Sequence, residues 1–251
     1  MALRHRAGLG FVLAPVAGGG GAALRRLGPR YGVALFPFMD GSAGSFWDYA
    51  APDHAAWVVP MLAELHRATP AVRGVAQPRA VEVPGRADLE AALADLDRPW
   101  VGGPFSEPAR AWLAANAGSV RRALGTFDEL AAQVAAAGRD LLVTHGEPHP
   151  ANLVRSGDRS YLIDWDTVGL APPERDLWML DGGAGEALAA YSQATGRELD
   201  PSALALYRLC WDLTDLSVYA SFLRGPHRRT ADTELAWRAV TEGVRHTPGL
   251  L

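Results

Sequence analysis

The chain has 251 residues, 49% of them apolar and 21% charged, and a net charge of −4, the composition of a globular protein long enough to bury a core. No Lys/Arg run marks a nucleic-acid footprint, and no stretch approaches the roughly 20 apolar residues of a membrane span, so neither partner is expected. A single cysteine, Cys210, excludes an intrachain disulfide and a thiolate metal cluster; it suits a reducing compartment, and the cytoplasm is the expected location.

Arg4, His5 and Arg6 ahead of the apolar residues 8–17 mimic a secretory leader, but Gly8, Gly10 and Pro15 are poor for its helix. Residues 11–16 are apolar and β-branched enough for a short strand. The four glycines 18–21 are followed by no G-x-G-x-x-G spacing and no lysine, so they read as a hairpin turn rather than a phosphate cradle. Residues 24–27 and 31–38 read as two strands around Gly28-Pro29, and Phe-Pro-Phe-Met-Asp-Gly, residues 36–41, ends the second in a sharp loop. Residues 54–68 carry Trp57, Met61, Leu62 and Leu65 on one helical face, with Pro60 expected to kink the helix or delay its start. Residues 71–104 read as a long irregular connection with one short helix near 89–96.

Ser106-Glu107-Pro108 opens a helix to about Ala117. Thr126 and Glu129 form a capping box for a second helix that buries Phe127, Leu130 and Val134 and stops at Gly138. The pattern then switches: residues 141–144 read as a strand, and residues 153–155 and 161–163 flank Ser156-Gly157-Asp158-Arg159 as a β-hairpin. Helices return from Glu186, one of them starting at Pro201 and running to about Leu223. No internal repeat is present.

The chemistry concentrates in residues 141–178. His145, Glu147, His149 and Asn152 share one loop after a strand, and Asp164 follows the hairpin directly. Phosphoryl transfer needs a carboxylate near the attacking hydroxyl and oxygen ligands that hold Mg²⁺ against the phosphates; this arrangement offers both. The alternation of His145, Glu147 and His149 would also suit zinc on a strand face, although Pro148 and Pro150 argue for a loop. Asp164 and Asp166 alone would read as a strand-end turn, and the preceding Asn152 and hairpin favour a metal role. On the helix from Pro201, Asp212, Asp215, Tyr219 and Phe222 share one side beside Leu206, Leu209, Leu213, Leu216 and Ala220. That edge is either a wall for a cationic substrate or a solvated face.

Three linked motifs carry a resemblance. His145-Gly146-Glu147-Pro148-His149-Pro150-Ala151-Asn152, then Ile163-Asp164-Trp165-Asp166, then Arg175-Asp176-Leu177-Trp178 resemble the H-G-D-x-H-x-x-N, I-D-[WFY]-[DE] and R-D-L segments of aminoglycoside phosphotransferases, relatives of protein kinases. Residues 36–41 resemble the lobe-connecting strand and hinge, residues 62–67 the first helix of the large lobe, and residues 171–176 lean toward the spectinomycin phosphotransferase-like branch. The resemblance implies an α+β, protein-kinase-like two-lobe fold with a truncated N-terminal β lobe and a mostly helical C-terminal lobe. Residues 1–40 would be the remnant of the nucleotide-binding lobe with its hinge, and residues 41–251 the lobe with catalytic loop and metal site. It implies transfer of the ATP γ-phosphoryl group, with Mg²⁺, to a hydroxyl of a small cationic molecule of the aminoglycoside or aminocyclitol kind. Glu147 would orient and deprotonate that hydroxyl, Asn152 and Asp164 would hold Mg²⁺, and backbone groups of Phe38, Met39 and Asp40 would meet the adenine. Asp176, His145 and His149 would brace the catalytic loop, and Asp166, Asp212 and Asp215 are candidates to face the substrate.

The sequence departs from the family pattern in two places. Glu147 stands where Asp is usual, which moves the carboxylate by on the order of 1 Å in chemistry that depends on positioning. Only 35 residues precede Phe36, and the chain contains no lysine, so the phosphate-covering loop and its lysine are missing; Arg25 and Arg26 lie too close to the hinge to replace it. Residues 1–10 look like the tail of the helix that should carry the partner Glu. The expectation is a start further upstream, with a non-catalytic nucleotide- or metabolite-binding pseudoenzyme as the alternative.

Overall fold

The computed structural model describes residues 2–18, 20–45, 52–180 and 185–242. In chain order its elements are α1 (Ala2–Ala7), β1 (Arg25–Leu27), β2 (Tyr31–Val33), β3 (Ser42–Ala43), α2 (Pro52–Arg67), α3 (Thr69–Val72), α4 (Arg86–Ala94), α5 (Ser106–Ala136), β4 (Leu142–Thr144), β5 (Leu153–Ser156), β6 (Arg159–Leu162), β7 (Gly169–Ala171), α6 (Glu174–Leu177), α7 (Glu186–Thr195), α8 (Pro201–Arg224) and α9 (Ala231–Glu242). They fall into two compact units, each made of two stretches of chain: Met1–Arg79 with Asp140–Leu199, and Ala80–Arg139 with Asp200–Leu251.

The first unit holds the strands in three small antiparallel sheets, β1-β2, β3-β5-β6 and β4-β7. β1 and β2 make a hairpin with Leu27 opposite Tyr31, turned at Gly28 with φ +66. All six of its strand residues are exposed. β2 stops at Val33 where a strand to residue 38 was expected, and residues 11–16 make a single parallel bridge, Val12 to Leu162, where a strand was expected. Short strands need a neighbouring ladder to persist, and among the described residues the β1-β2 sheet has no third strand.

α2 runs unbroken through Pro60. The lost amide is outweighed by a face that buries Val58, Val59, Leu62 and Leu65, each at most 5% exposed, and each such side chain contributes about 1.5–3 kcal/mol. α7 packs along α2, and α1 along α3. β4 pairs with β7 from Leu142↔Ala171 to Thr144↔Gly169, and residues 77–79 run beside β7, Leu170 donating to Gln77 O and Arg79 to Leu170 O. Neither α3 nor β7 was expected; three or four residues carry no readable period. The hairpin of β5 and β6 turns on Gly157-Asp158 alone, with Ser156 opposite Arg159, one residue tighter on each side than expected.

The second unit is helical. α5 is one helix of 31 residues, where two had been expected. Its buried positions Ala109, Leu113, Ala117, Val120, Leu124 and Phe127 keep steps of three and four straight through Gly118 and Gly125. Burial of that stripe overrides the capping-box signal at Thr126. It packs with Leu89 and Leu93 of α4, Leu206, Leu209, Leu213 and Leu216 of α8, and Ala236 and Val240 of α9 in one core. Asp200 caps α8 by accepting from the Ser202 amide at 2.8 Å, and Pro201 opens it. α4 and α9 complete this unit's helices among the described residues.

Candidate active site

β4 and β7 form the base of one loop of chain, residues 145–168, and the β5-β6 hairpin stands inside it. The start of that loop is fixed from below by Asp176, whose side chain is fully buried. Its Oδ2 accepts the His145 amide at 2.8 Å and its Oδ1 the Gly146 amide at 2.6 Å, while His66 Nε2 donates to Oδ2 at 3.0 Å. Burial alone would raise the Asp176 carboxyl, but the hydrogen bond and charge of His66, with Arg175 and His145 beyond, hold it below the usual carboxylate range. Gly146 has φ +103, and a Cβ there would sit 2.2 Å from Arg175 Nη2. Only glycine fits both the backbone and the guanidinium above it. That guanidinium donates to Thr144 Oγ1 at 2.9 Å and Thr167 O at 3.0 Å, joining β4 to the far side of the loop.

The histidines are struts. His145 is buried; its Nε2 donates to Ile163 O at 2.8 Å and its Nδ1 accepts the Glu147 amide at 3.2 Å. The ring is therefore the neutral Nε2–H tautomer, and burial, against the nearby Asp176, lowers its pKa. Its edge meets the Trp165 ring at 4.6 Å. His54 of α2 donates from Nε2 to Pro148 O at 2.9 Å, and burial lowers its pKa as well. Burial, with His145 and His54 close by, brings His149 down to about 4. A neutral His149 accepts at Nε2 from Asn152 Nδ2 (3.2 Å), which also donates to Glu147 O at 2.9 Å. With its nitrogen committed, Asn152 keeps Oδ1 as the atom able to hold a ligand. The zinc arrangement is overturned: both ring nitrogens of His145 are engaged, and among the described residues no group of three His, Cys, Asp or Glu side chains can hold a metal.

Three carboxylates stand close together, those of Asp164 and Asp166 exposed and that of Glu147 partly buried. Among the described residues those of Glu147, Asp164 and Asp166 accept no hydrogen bond. Burial, then Asp166 and Asp164, push the Glu147 carboxyl above its usual range, opposed by Arg175. Asp164 has φ 62, the single positive value at a non-glycine among the described residues; local strain of this kind persists where the surroundings over-determine it. Thr167 Oγ1 donates to His145 O at 2.7 Å and Arg79 Nη2 to Asp166 O at 2.9 Å, pinning the segment that carries both aspartates. Asn152, Asp164 and Asp166 edge a cavity of about 830 Å³ otherwise walled mainly by apolar side chains, including Leu3, Val12, Phe36, Val143 and Ile163. A carboxylate and an amide oxygen on one rim fit Mg²⁺, which takes few protein ligands and fills its octahedron with phosphate oxygens and water.

Residues 1–216 match the model of the phosphotransferase enzyme family, APH. The chain belongs to that family. Protein StrN of Streptomyces griseus is 29% identical over 249 residues, 95% of this chain and 73% of that protein. Spectinomycin phosphotransferase APH(9)-Ia, solved with ADP and spectinomycin, superposes with a TM-score of 0.77 at 17% identity, covering 96% of this chain and 75% of that one. Choline kinase LicA from Streptococcus pneumoniae gives 0.56 at 16% identity, covering 97% and 77%. The α+β, kinase-like fold is thereby shown, and the chain is a phosphotransferase-family protein.

Within this family member the structure gathers Glu147, Asn152, Asp164, Asp166, His145, His149 and Asp176 into one unit. Phe38, Met39 and Asp40 lie in the same unit but do not line the cavity; Phe36 does, Phe38 is 93% exposed, and Asp40 O accepts Ser156 Oγ at 2.7 Å. Asp212 and Asp215 belong to the other unit, Asp212 being 1% exposed. Sequence reasoning gave no role to His54, Arg79, Thr167 or Tyr191, and treated His66 and Arg175 only as motif letters. Among the described residues no helix is long and apolar enough to cross a membrane.

Proposed function

We propose that this protein transfers the γ-phosphoryl group of ATP to a hydroxyl of a small cationic molecule of the aminocyclitol or aminoglycoside class. The carrying observation is that Asn152, Asp164 and Asp166, from one loop closed by β4 and β7, form the polar rim of an otherwise apolar cavity, with the Glu147 carboxylate close enough behind them to feel the charges of Asp166 and Asp164. The apolar walls, to which residues 1–40 contribute Leu3, Val12, Leu13, Pro15 and Phe36, suit a purine. Asn152 Oδ1 and Asp164 would hold Mg²⁺, which when bound neutralises charge on the phosphates. Glu147 accepts a hydrogen bond from the acceptor hydroxyl and takes its proton as the bond to phosphorus forms. Burial, with Asp166 and Asp164 nearby, raises its pKa, which makes it a better proton acceptor than an ordinary carboxylate. Asp166, exposed beside it, offers a carboxylate to a substrate ammonium. His145, His149 and Asp176 hold the loop in register.

Titration calorimetry with Mg²⁺–ATP, followed by turnover with spectinomycin as acceptor, tests the reading. Binding in the wild type that is abolished by Asp164→Ala supports it. No binding and no turnover by the wild type overturns it and leaves a kinase-shaped binding protein.

A further inference from the structure

A buried hydrogen-bond chain runs from α7 to the start of the candidate catalytic loop. The Tyr191 hydroxyl lies 2.6 Å from His66 Nδ1, and His66 Nε2 lies 3.0 Å from Asp176 Oδ2. Asp176 in turn accepts the His145 and Gly146 amides. None of the three side chains reaches solvent: relative exposures are 0% for Tyr191, 3% for His66 and 0% for Asp176. The Asp176 carboxylate can only accept, so His66 Nε2 donates to it, and His66 Nδ1 shares the second hydrogen bond with the Tyr191 hydroxyl. The two rings meet edge to face at 5.5 Å. The orientation of each group is thus set by the next, and the two backbone amides at the end are those that precede Glu147.

His54, on α2 like His66, grips the loop on its other side, its Nε2 donating to Pro148 O at 2.9 Å. At the C-terminus of α2 the Thr69 hydroxyl just beyond it bridges His66 O (2.6 Å) and the Val143 amide (2.9 Å). Glu147 therefore sits between two loop residues, Gly146 and Pro148, that are both tied to α2. No other backbone restraint of Glu147 is as deeply buried as these: its own amide goes to His145 Nδ1 and its carbonyl to Asn152.

We propose that His66 and Tyr191 are positioning residues for Glu147, acting through Asp176 on the His145 and Gly146 amides, with α2 as the splint. The inference rests on the phosphotransfer reading for its catalytic consequence, but its structural part stands alone. Such a device answers the longer Glu147 side chain. A carboxylate on one more rotatable bond needs a stiffer backbone beneath it to reach a hydroxyl within hydrogen-bond range.

The test compares wild type with Tyr191→Phe, His66→Leu and His66→Gln by amide hydrogen exchange and by steady-state turnover of Mg²⁺–ATP with spectinomycin. Tyr191→Phe keeps the ring and removes one hydroxyl. His66→Gln keeps a side-chain N–H able to reach Asp176. Exchange at the His145 and Gly146 amides is expected to rise about tenfold in Tyr191→Phe and further in His66→Leu, with the β5-β6 hairpin amides unchanged. His66→Gln is expected to recover part of the protection. In turnover, kcat is expected to fall about tenfold with KM for Mg²⁺–ATP unchanged, because the nucleotide contacts lie elsewhere. Unchanged exchange at the two amides in both Tyr191→Phe and His66→Leu overturns the proposal. So does protection lost equally at the two amides and the hairpin, which is the signature of general loosening. If wild type binds no nucleotide, the phosphotransfer reading fails while the exchange result still decides the positioning.

Discussion

Gly146→Ala should be among the most damaging single-methyl additions to this protein. At φ +103 an alanine carries a backbone penalty of about 1–2 kcal/mol. Its Cβ would lie 2.2 Å from Arg175 Nη2, 2.5 Å from Cζ and 2.6 Å from Nη1, so the whole guanidinium must withdraw. That breaks its bonds to Thr144 Oγ1 and Thr167 O, and hydrogen bonds from a charged donor contribute about 1.5–3 kcal/mol where water does not replace them. Arg175 is half-buried, so one bond's worth is a fair measure of the loss. The expected total is roughly 3–5 kcal/mol, or a drop in Tm on the order of 10 °C for a chain of this size. Urea denaturation measures it directly. Gly138→Ala is the matched control: φ is +56 and nothing lies within 4 Å of a Cβ, so only about 1 kcal/mol of backbone cost remains. In an Arg175→Ala background, Gly146→Ala should shrink to its backbone part, since neighbours that share a clash are not additive. Equal losses for Gly146→Ala and Gly138→Ala would refute the reasoning.

The remaining predictions address pH, strain and charge. His54, His145 and His149 are all held neutral by burial, while the unfolded chain protonates them below its ordinary value of 6.5; stability is present above that pH and declines as pH falls toward 4. The His149 share alone is about 3 kcal/mol, from 6.5 to about 4 at 1.36 kcal/mol per unit, and His149→Gln should flatten that part of a stability profile measured by urea titration from pH 8 to 4. Asp164→Gly removes the side chain from a φ of 62 and is expected to raise stability by about 1 kcal/mol while abolishing Mg²⁺–ADP binding in calorimetry; a destabilised Asp164→Gly contradicts the strain argument. Arg86, which donates to Asp128 and Glu90 on the exposed surface of the second unit, should change stability by less than about 1 kcal/mol on mutation to Ala, because such pairs are screened by water; thermal melts in low and high salt would check it.

The parts of the site that were legible in the sequence are those whose chemistry is contiguous. Glu147, Asn152 and Asp164 lie within one 18-residue stretch, and a strand before and a hairpin between them were enough to place them together. What escaped was of two kinds. Some elements were too short for any period to show, as with β7, three residues whose strand character comes only from β4 opposite. Others were misread because a local signal was real but outvoted: Thr126 and Glu129 spell a helix start, yet the apolar stripe from Ala109 to Phe127 carries α5 through them. The long-range contacts were invisible for a plainer reason. Tyr191 and His66 are 125 positions apart in the chain, and nothing in either neighbourhood announces the other. The cavity wall likewise takes Phe36 and leaves Phe38 outside, a choice set by where β2 ends and not by the identity of two neighbouring phenylalanines.

The β5-β6 hairpin turns on Gly157 and Asp158, both exposed, with Gly157 at φ +59 and nothing within 4 Å of a Cβ there. The enclosing loop is tied down at His145, Gly146, Pro148, Asn152, Ile163 and Thr167, so this exposed tip is a stretch between β4 and β7 where chain length is cheap. Doubling a surface loop costs only about 0.6 kcal/mol in closure entropy. A fluorophore-bearing cysteine, an epitope or a short peptide tether placed between those two residues would ride on the rigid hairpin a few residues from Asn152 and Asp164. It would report on occupancy of the cavity without occupying it.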